Sequence, residues 1–161
     1  MAIDSRRQAG VHSLDGDDPL YVLDKILQDV EHGRFERSMA GITAAGSVIT
    51  AGEIWLEHDK ASFGNKMMWA PIAVTPLVAV AGLGGVFSRR WAKTVLPITS
   101  TLLIANGIQG AYLHLRGVAQ RPGGLRHARF NLETGPPLFA PLLVTMVGGM
   151  GLLAAVLRRE L

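Results

Sequence analysis

The sequence predicts an all-α membrane protein in which four transmembrane helices form a bundle, preceded by an amphipathic interfacial helix. Of its 161 residues, 48% are hydrophobic and only 18% are charged. The apolar residues are concentrated in blocks of about 20 residues, the length that a helix needs to cross the hydrocarbon core. Charged residues separate the blocks, which is not typical of the core helices of a soluble protein. The four blocks cover residues 38–57, 67–87, 91–115 and 137–157.

The N-terminal part of the chain is different in character. Residues 1–17 contain Gly, Ser and Asp with little apolar content, which predicts a flexible polar segment. Asp18 is suited to cap a helix and Pro19 to occupy its first position. Residues 18–37 therefore predict an amphipathic helix, which either lies at the membrane surface or docks onto a partner. Its apolar stripe consists of Leu20, Leu23, Leu27 and Val30.

Small residues recur within the blocks of the predicted transmembrane domain, residues 38–161. They include Gly41 and Ala45 in the first span and Gly110 in the third. Without a large side chain, a membrane helix can approach its neighbour closely. We therefore expect these three positions to lie at helix–helix contacts.

The arrangement of charge predicts the location and the orientation. The net charge is +3, and the basic residues lie beside the apolar blocks, which favours membrane lipids as partners and not nucleic acid. An even number of spans places both termini on one side of the membrane. The short, positively charged segment 89–93 indicates that this side is the cytoplasm. The expected location is the bacterial cytoplasmic (inner) membrane.

Two histidines lie at the ends of predicted spans that run in the same direction. His58 ends the first span and His114 ends the third, so both are expected near one membrane surface. Two facing helices that each present a histidine are typical of a bundle that ligates haem b, and one histidine can hold the magnesium of a chlorophyll. A histidine at a membrane surface can also simply contact headgroups and water. The prediction therefore favours no cofactor, with haem b or chlorophyll as the alternative.

An ionisable residue lies inside the first span. Glu53 is about one turn from the boundary, where a carboxylate is costly unless it faces the bundle and has a partner. Asn106 and Gln109 in the third span are the expected polar neighbours, together with His114. These residues are candidates for a buried polar site that relays protons or binds a quinone.

The loop 117–135 joins the last two spans and is long for a simple connection. Its length and charge predict a structured cap or a partner surface. Four arginines are candidates for contacts with lipid headgroups: Arg116, Arg121, Arg126 and Arg129.

The residues that enzymes and metal sites require are not found in a recognisable pattern. The chain has no cysteine, and it lacks the paired Glu-x-x-His motifs of di-iron bundles. We therefore expect no catalytic residues and no metal site, and we expect the chain not to be an enzyme.

Three strings carry a resemblance to a group of known proteins. They are His114-Leu-Arg116-Gly117, Arg121-Pro-Gly-Gly124 and Gly135-Pro-Pro-Leu-Phe-Ala-Pro141. Residues 38–160 resemble small, uncharacterised four-helix bacterial membrane proteins associated with membrane dehydrogenases. The resemblance implies electron transport and assigns no residue.

The expected function is that of a non-catalytic accessory or anchor subunit of a bacterial membrane redox or photosynthetic complex, with its other subunits as partners. One alternative is an electron-transfer anchor that binds haem b at His58 and His114. A second alternative is a small transporter that uses Glu53.

Overall fold

The structure is a computed structural model that describes residues 33–158 and, ahead of them, Val22, Leu23, Lys25 and Gln28. The described residues form helices and no strand, as the sequence predicts. Short 3-10 turns at Lys66–Met68 and Gly124–His127 precede α2 and α5. The α-helices are α1 (Arg34–Lys60), α2 (Trp69–Phe87), α3 (Arg89–Lys93), α4 (Val95–Ala119), α5 (Ala128–Thr134) and α6 (Phe139–Leu157).

Three of these segments are long and apolar enough to cross a membrane: Arg34–Lys60, Lys66–Phe87 and Phe139–Leu157. The third predicted span corresponds to α4, a helix of 25 residues. It is not among the three segments that are apolar enough, because polar side chains such as Asn106 and Gln109 interrupt its apolar run. Its length suits a span.

The predicted segment 1–17 lies outside the described residues, and of segment 18–37 the structure describes residues 22, 23, 25, 28 and 33–37. Near the C-terminal end of segment 18–37, α1 begins at Arg34, four residues before the predicted first span. Gly33 precedes it with a φ of 68°, a left-handed conformation that glycine adopts without steric cost. Residues 34–37 therefore continue directly into the long helix.

Each long helix packs mainly against two others. Helix α1 contacts α2 and α6, and α4 contacts the same two helices. Consequently α1 and α4 lie on a diagonal of the bundle. The sequence predicted that these two helices face each other, and the packing corrects that expectation.

Glycine brings the helix backbones together at three crossings. A side chain on Gly82 would meet the Ala40 carbonyl oxygen at 2.8 Å, and one on Gly107 would meet the Pro141 carbonyl oxygen at 2.8 Å. A side chain on Gly148 would meet the Ser100 carbonyl oxygen at 2.9 Å. These distances are shorter than van der Waals contact, so the interior is closed along its length by backbone approach.

The predicted contact positions are right in two of three cases. Gly110 lies against Pro141, and Gly41 lies against Val86. Ala45, in contrast, is exposed. The buried stripe of α1 runs through Ala40, Thr43 and Ser47. Ala45 is two residues from both Thr43 and Ser47, a rotation of about 200°, so it lies on the opposite face of the helix.

The bundle has two ends that differ in construction. The terminal end contains the start of α1, the end of α2, the start of α4 and the end of α6, and is marked by Glu36, Gly85, Leu96 and Arg158. The loop end contains the opposite helix termini and the connections at 61–68 and 120–138. It is marked by His58, Trp69, His114 and Pro137.

Candidate functional site

The loop end begins with an aromatic cluster at the connection between α1 and α2. The rings of Phe63 and Trp69 stack with centroids 4.4 Å apart, and Trp55 meets Phe63 edge-on at 5.3 Å. Phe63 has a φ of 47° and the preceding Ser62 a φ of 52°. Left-handed backbone is strained for residues other than glycine, and the ring contacts of Phe63 hold it there. Aromatic residues of this kind are enriched where a helix leaves the hydrocarbon core.

His58 lies on the inner edge of this cluster. Its ring meets Phe63 edge-on at 6.1 Å and hydrogen-bonds with the backbone of Met68. The Nδ1 atom of His58 is buried and has no hydrogen-bond partner among the described residues. The backbone of Met68 therefore lies beside the His58 ring, and Nδ1 is a buried ring nitrogen without a partner in the described part of the chain.

His114 is held in a similar way by the other connection. Its Nδ1 atom lies 2.8 Å from the carbonyl oxygen of Pro137, a contact in which the ring donates the proton. The Nε2 atom is then the unprotonated nitrogen of the neutral ring. Histidines that ligate metals characteristically donate their second N–H to a backbone carbonyl in this manner.

The two histidines lie close enough for each charge to act on the other. The expectation that they share one end of the bundle is therefore met. They reach that end from helices on a diagonal, and the segments that begin α2 and α6 lie beside them at Met68 and Pro137. Among residues 33–158, no group of three or more His, Asp or Glu side chains is arranged to hold a metal ion.

The proposed buried polar site is not buried. Glu53 and Gln109 are exposed on the outer surface of the bundle, and only Asn106 is half-buried. The buried stripe of α1 passes through Ser47 and the half-buried Ile54. Glu53 precedes Ile54 by one residue and therefore points about 100° away from it around the helix axis. The sequence analysis therefore assigned the wrong face of α1 to the interior of the bundle.

The arginines of the loop end have different environments. Arg121 donates to the Thr134 carbonyl oxygen at 2.7 Å and to its hydroxyl at 3.0 Å, so it holds the loop together. Arg126 and Arg129 are exposed, as is Arg116 at the end of α4. Of the four headgroup candidates, Arg121 is half-buried and donates to Thr134, whereas the exposed Arg129 pairs with the exposed Glu133.

Polar side chains that the sequence analysis did not single out lie inside the bundle. Glu36 is fully buried, and neither of its carboxylate oxygens has a hydrogen-bond partner among the described residues. The hydroxyls of Ser47 and Ser100 are buried without partners as well. At the same end as Glu36, Arg158 is 1% exposed and donates to the Gly85 carbonyl oxygen at 2.8 Å.

A sequence signal for Glu36 did exist. Glu36, Ala40, Thr43 and Ser47 follow the three- and four-residue spacing of one helix face. Setting the start of the first span at Ser38 separated Glu36 from this stripe. Arg158 carried no signal, because an arginine after a span is normally a surface residue.

Comparison with known proteins finds no matching family, no similar curated protein and no similar solved structure. The geometry of the two ends is therefore the basis for a functional proposal.

Proposed function

We propose that the chain is a non-catalytic accessory or anchor subunit of a bacterial membrane redox or photosynthetic complex. In this proposal all four long helices cross the cytoplasmic membrane, and both termini face the cytoplasm. The interior is closed by glycine crossings, whereas small residues also remain on the outside. A subunit whose task is assembly needs such outward-facing positions.

The observation that carries the proposal is the outer face of α1. Ala45 and Gly52 are both exposed, and no atom lies within 4 Å of the position that a Gly52 side chain would take. The two residues are two helical turns apart and therefore lie on one face, with Ile49 between them, 67% exposed. A small residue on the lipid-facing side of a membrane helix lets a second helix approach closely.

Co-purification tests this role. The chain, carrying a C-terminal affinity tag, is extracted from its native membrane in mild detergent, and the co-purifying subunits are identified by mass spectrometry. We expect stoichiometric recovery of larger redox subunits. Ala45→Leu/Gly52→Leu should lose these subunits while the isolated chain keeps its helical content. Leu143→Ala, on an exposed position of α6, is the matched control and should retain them.

Recovery of the wild-type chain alone, from membranes in which candidate complexes are intact, would contradict an accessory role. Topology is tested separately by reporter fusions after Arg90 and Leu161. Both should report the cytoplasmic side, and opposite sides would exclude four spans.

A haem-binding electron-transfer anchor is the second candidate, and the two histidines favour it. The Nδ1 atom of His114 donates to a backbone carbonyl, and the buried Nδ1 atom of His58 lacks a hydrogen-bond partner among the described residues. His58 and His114 would hold a haem bound there, and the haem would supply one-electron transfer. Against this candidate, α1 and α4 lie on a diagonal, so a macrocycle would have to displace the starts of α2 and α6. An optical spectrum of the purified chain separates the two candidates.

A further inference from the structure

The loop 120–135, called the cap from here on, is a folded element. Asn131 is 1% exposed, and its side-chain amide donates to the carbonyl oxygens of Pro122 at 3.1 Å and Gly124 at 2.8 Å. Gly123 and Gly124 have φ values of 77° and 50°, which let the chain turn there. Together with the Arg121 contacts to Thr134, these bonds fix the outer surface of the cap.

That outer surface carries a shallow cleft with a volume of about 530 Å³. Its cations are Arg126, His127 and Arg129, and its acid is Glu133. The Nε atom of Arg129 donates to Glu133 at 3.0 Å. This contact orients the guanidinium and leaves its two terminal nitrogens to contact a ligand.

Apolar side chains border the same surface. Phe130 lines the cleft and is 61% exposed, and Leu125, next to Arg126, is 60% exposed. The contact of an exposed aromatic side chain with water is unfavourable, and here the aromatic side chain lies beside arginines. The combination is typical of segments that lie at the boundary between headgroups and acyl chains.

The position of the cap agrees with that depth. The cap connects α4 to α6, and α6 is apolar enough to span a membrane from its start at Phe139. Trp55 and Trp69 lie at the same end and are about half exposed, which places an aromatic belt there. In a membrane that α6 crosses, the cleft would therefore lie at the level of the lipid phosphates.

We propose that the cleft binds the phosphate headgroup of an anionic phospholipid. Arg126 and Arg129 contact the phosphate oxygens, a geometry that guanidinium favours. Phe130 and Leu125 contact the glycerol region and the upper acyl chain, and Glu133 holds Arg129 in place. This inference is independent of the accessory role, because it concerns a site on the chain itself.

Reconstitution tests the site directly. The full chain is placed in phosphatidylcholine vesicles that contain a minor fraction of spin-labelled phosphatidylglycerol or, in parallel, spin-labelled phosphatidylcholine. Electron paramagnetic resonance then gives the fraction of each label immobilised by the protein. We expect the wild-type chain to prefer phosphatidylglycerol. Arg126→Gln/Arg129→Gln should reduce that preference by roughly fivefold or more, since one basic residue near an anionic surface contributes about that factor.

Arg89→Gln/Arg90→Gln is the matched control, because it removes two exposed arginines at the terminal end. It should keep at least half of the preference. Phe130→Ser should weaken immobilisation of the label and leave its charge preference in place. All of these residues are exposed, so melting of each variant should match the wild type.

Three results would overturn the proposal. One is equal immobilisation of both labels by the wild-type chain. A second is an equal loss in the terminal-end control, which would indicate a general effect of charge. The third is complete displacement of the phosphatidylglycerol label by millimolar inorganic phosphate at constant ionic strength, which would indicate a site for free phosphate.

Discussion

The terminal end of the bundle buries two of its charged side chains, whereas none of the charged side chains described at the loop end is buried. Glu36 is fully buried and Arg158 is 1% exposed at the terminal end. At the loop end, Lys60 and Arg129 have side chains that are 70% and 92% exposed. Both ends have charged residues next to apolar helices, so sequence position alone does not separate them. Packing makes the difference, because close crossings enclose one end and an aromatic cluster with a separate cap forms the other.

The comparison indicates what each end contributes. Burying a charged side chain is costly, and losing the contact of a buried one is costly as well, so substitutions at the terminal end should change stability most. Exposed cations and aromatic rings contribute little to stability and are available to contact lipids or partners. The loop end should therefore tolerate substitution and carry the external contacts. Four predictions test this division, from the largest expected effect to the smallest.

Gly82→Leu should have the largest effect on stability. A side chain at this position would meet the Ala40 carbonyl oxygen and the Ala44 amide nitrogen, so α1 and α2 must separate. We expect a loss of about 3 kcal/mol, the upper end of the range for overpacking, measured by thermal unfolding in detergent. Gly52→Leu is the matched control, because no atom lies within 4 Å of its side-chain position. Equal melting of the two variants would show that this crossing is not close.

Arg158→Met should have the next largest effect. It removes the hydrogen bond to the Gly85 carbonyl oxygen, which joins the ends of α6 and α2. The expected loss is about 1.5–3 kcal/mol, typical for a hydrogen bond from a charged donor. Arg126→Met, on the exposed surface of the cap, should melt like the wild type. A larger loss of stability in Arg126→Met than in Arg158→Met would show that the loop end, and not the terminal end, determines stability.

Glu36→Gln should raise stability. The carboxylate is buried without a hydrogen-bond partner among the described residues, and a neutral amide of the same size is less costly to bury. We expect a gain of about 1–2 kcal/mol, in line with other replacements of buried charge. Glu57→Gln, which changes a partly exposed acid paired with Lys60, should leave the melting temperature unchanged. A marked loss of stability in Glu36→Gln would indicate that the carboxylate makes an essential contact.

His114→Ala should have the smallest effect on stability, about 1 kcal/mol, through loss of the hydrogen bond to Pro137. His127→Ala, on the exposed surface of the cap, is its control. The same variant also decides between the two candidate functions. We expect the purified wild-type chain to be colourless. A stoichiometric Soret band in the wild type that disappears in His114→Ala would instead assign electron transfer through haem.

Much of the fold was predictable because apolar helices of membrane length leave a clear pattern. The all-helical class is confirmed by the structure, and three of the predicted spans correspond to helical segments that are long and apolar enough to cross a membrane. The third predicted span is not among them, since Asn106 and Gln109 reduce its apolarity, although α4 is long enough to cross a membrane. Helix α1 begins four residues before the predicted first span, so the charged segment 34–37 belongs to the same helix as that span.

The candidate site was predictable only where it depended on distance along the chain. His58 and His114 were expected at one end because each follows a span of the same direction, and they do lie there. The burial of Glu53 was wrong because it depended on which face of α1 points inward. That choice is made by the neighbours α2 and α6, which the sequence of α1 does not contain.

The sequence by itself determined the helical class, the apolar lengths and the end of the bundle at which each charged residue lies, because these follow from spacing along one chain. Only the tertiary structure decided which charges are inside. The diagonal placement of α1 and α4, the crossing of Gly82 with Ala40, and the Arg158 bond to Gly85 each join residues that are far apart in sequence. Backbone approach at small residues sets the rotation of each helix about its axis. That rotation buries Glu36 and exposes Glu53, two glutamates of the same helix.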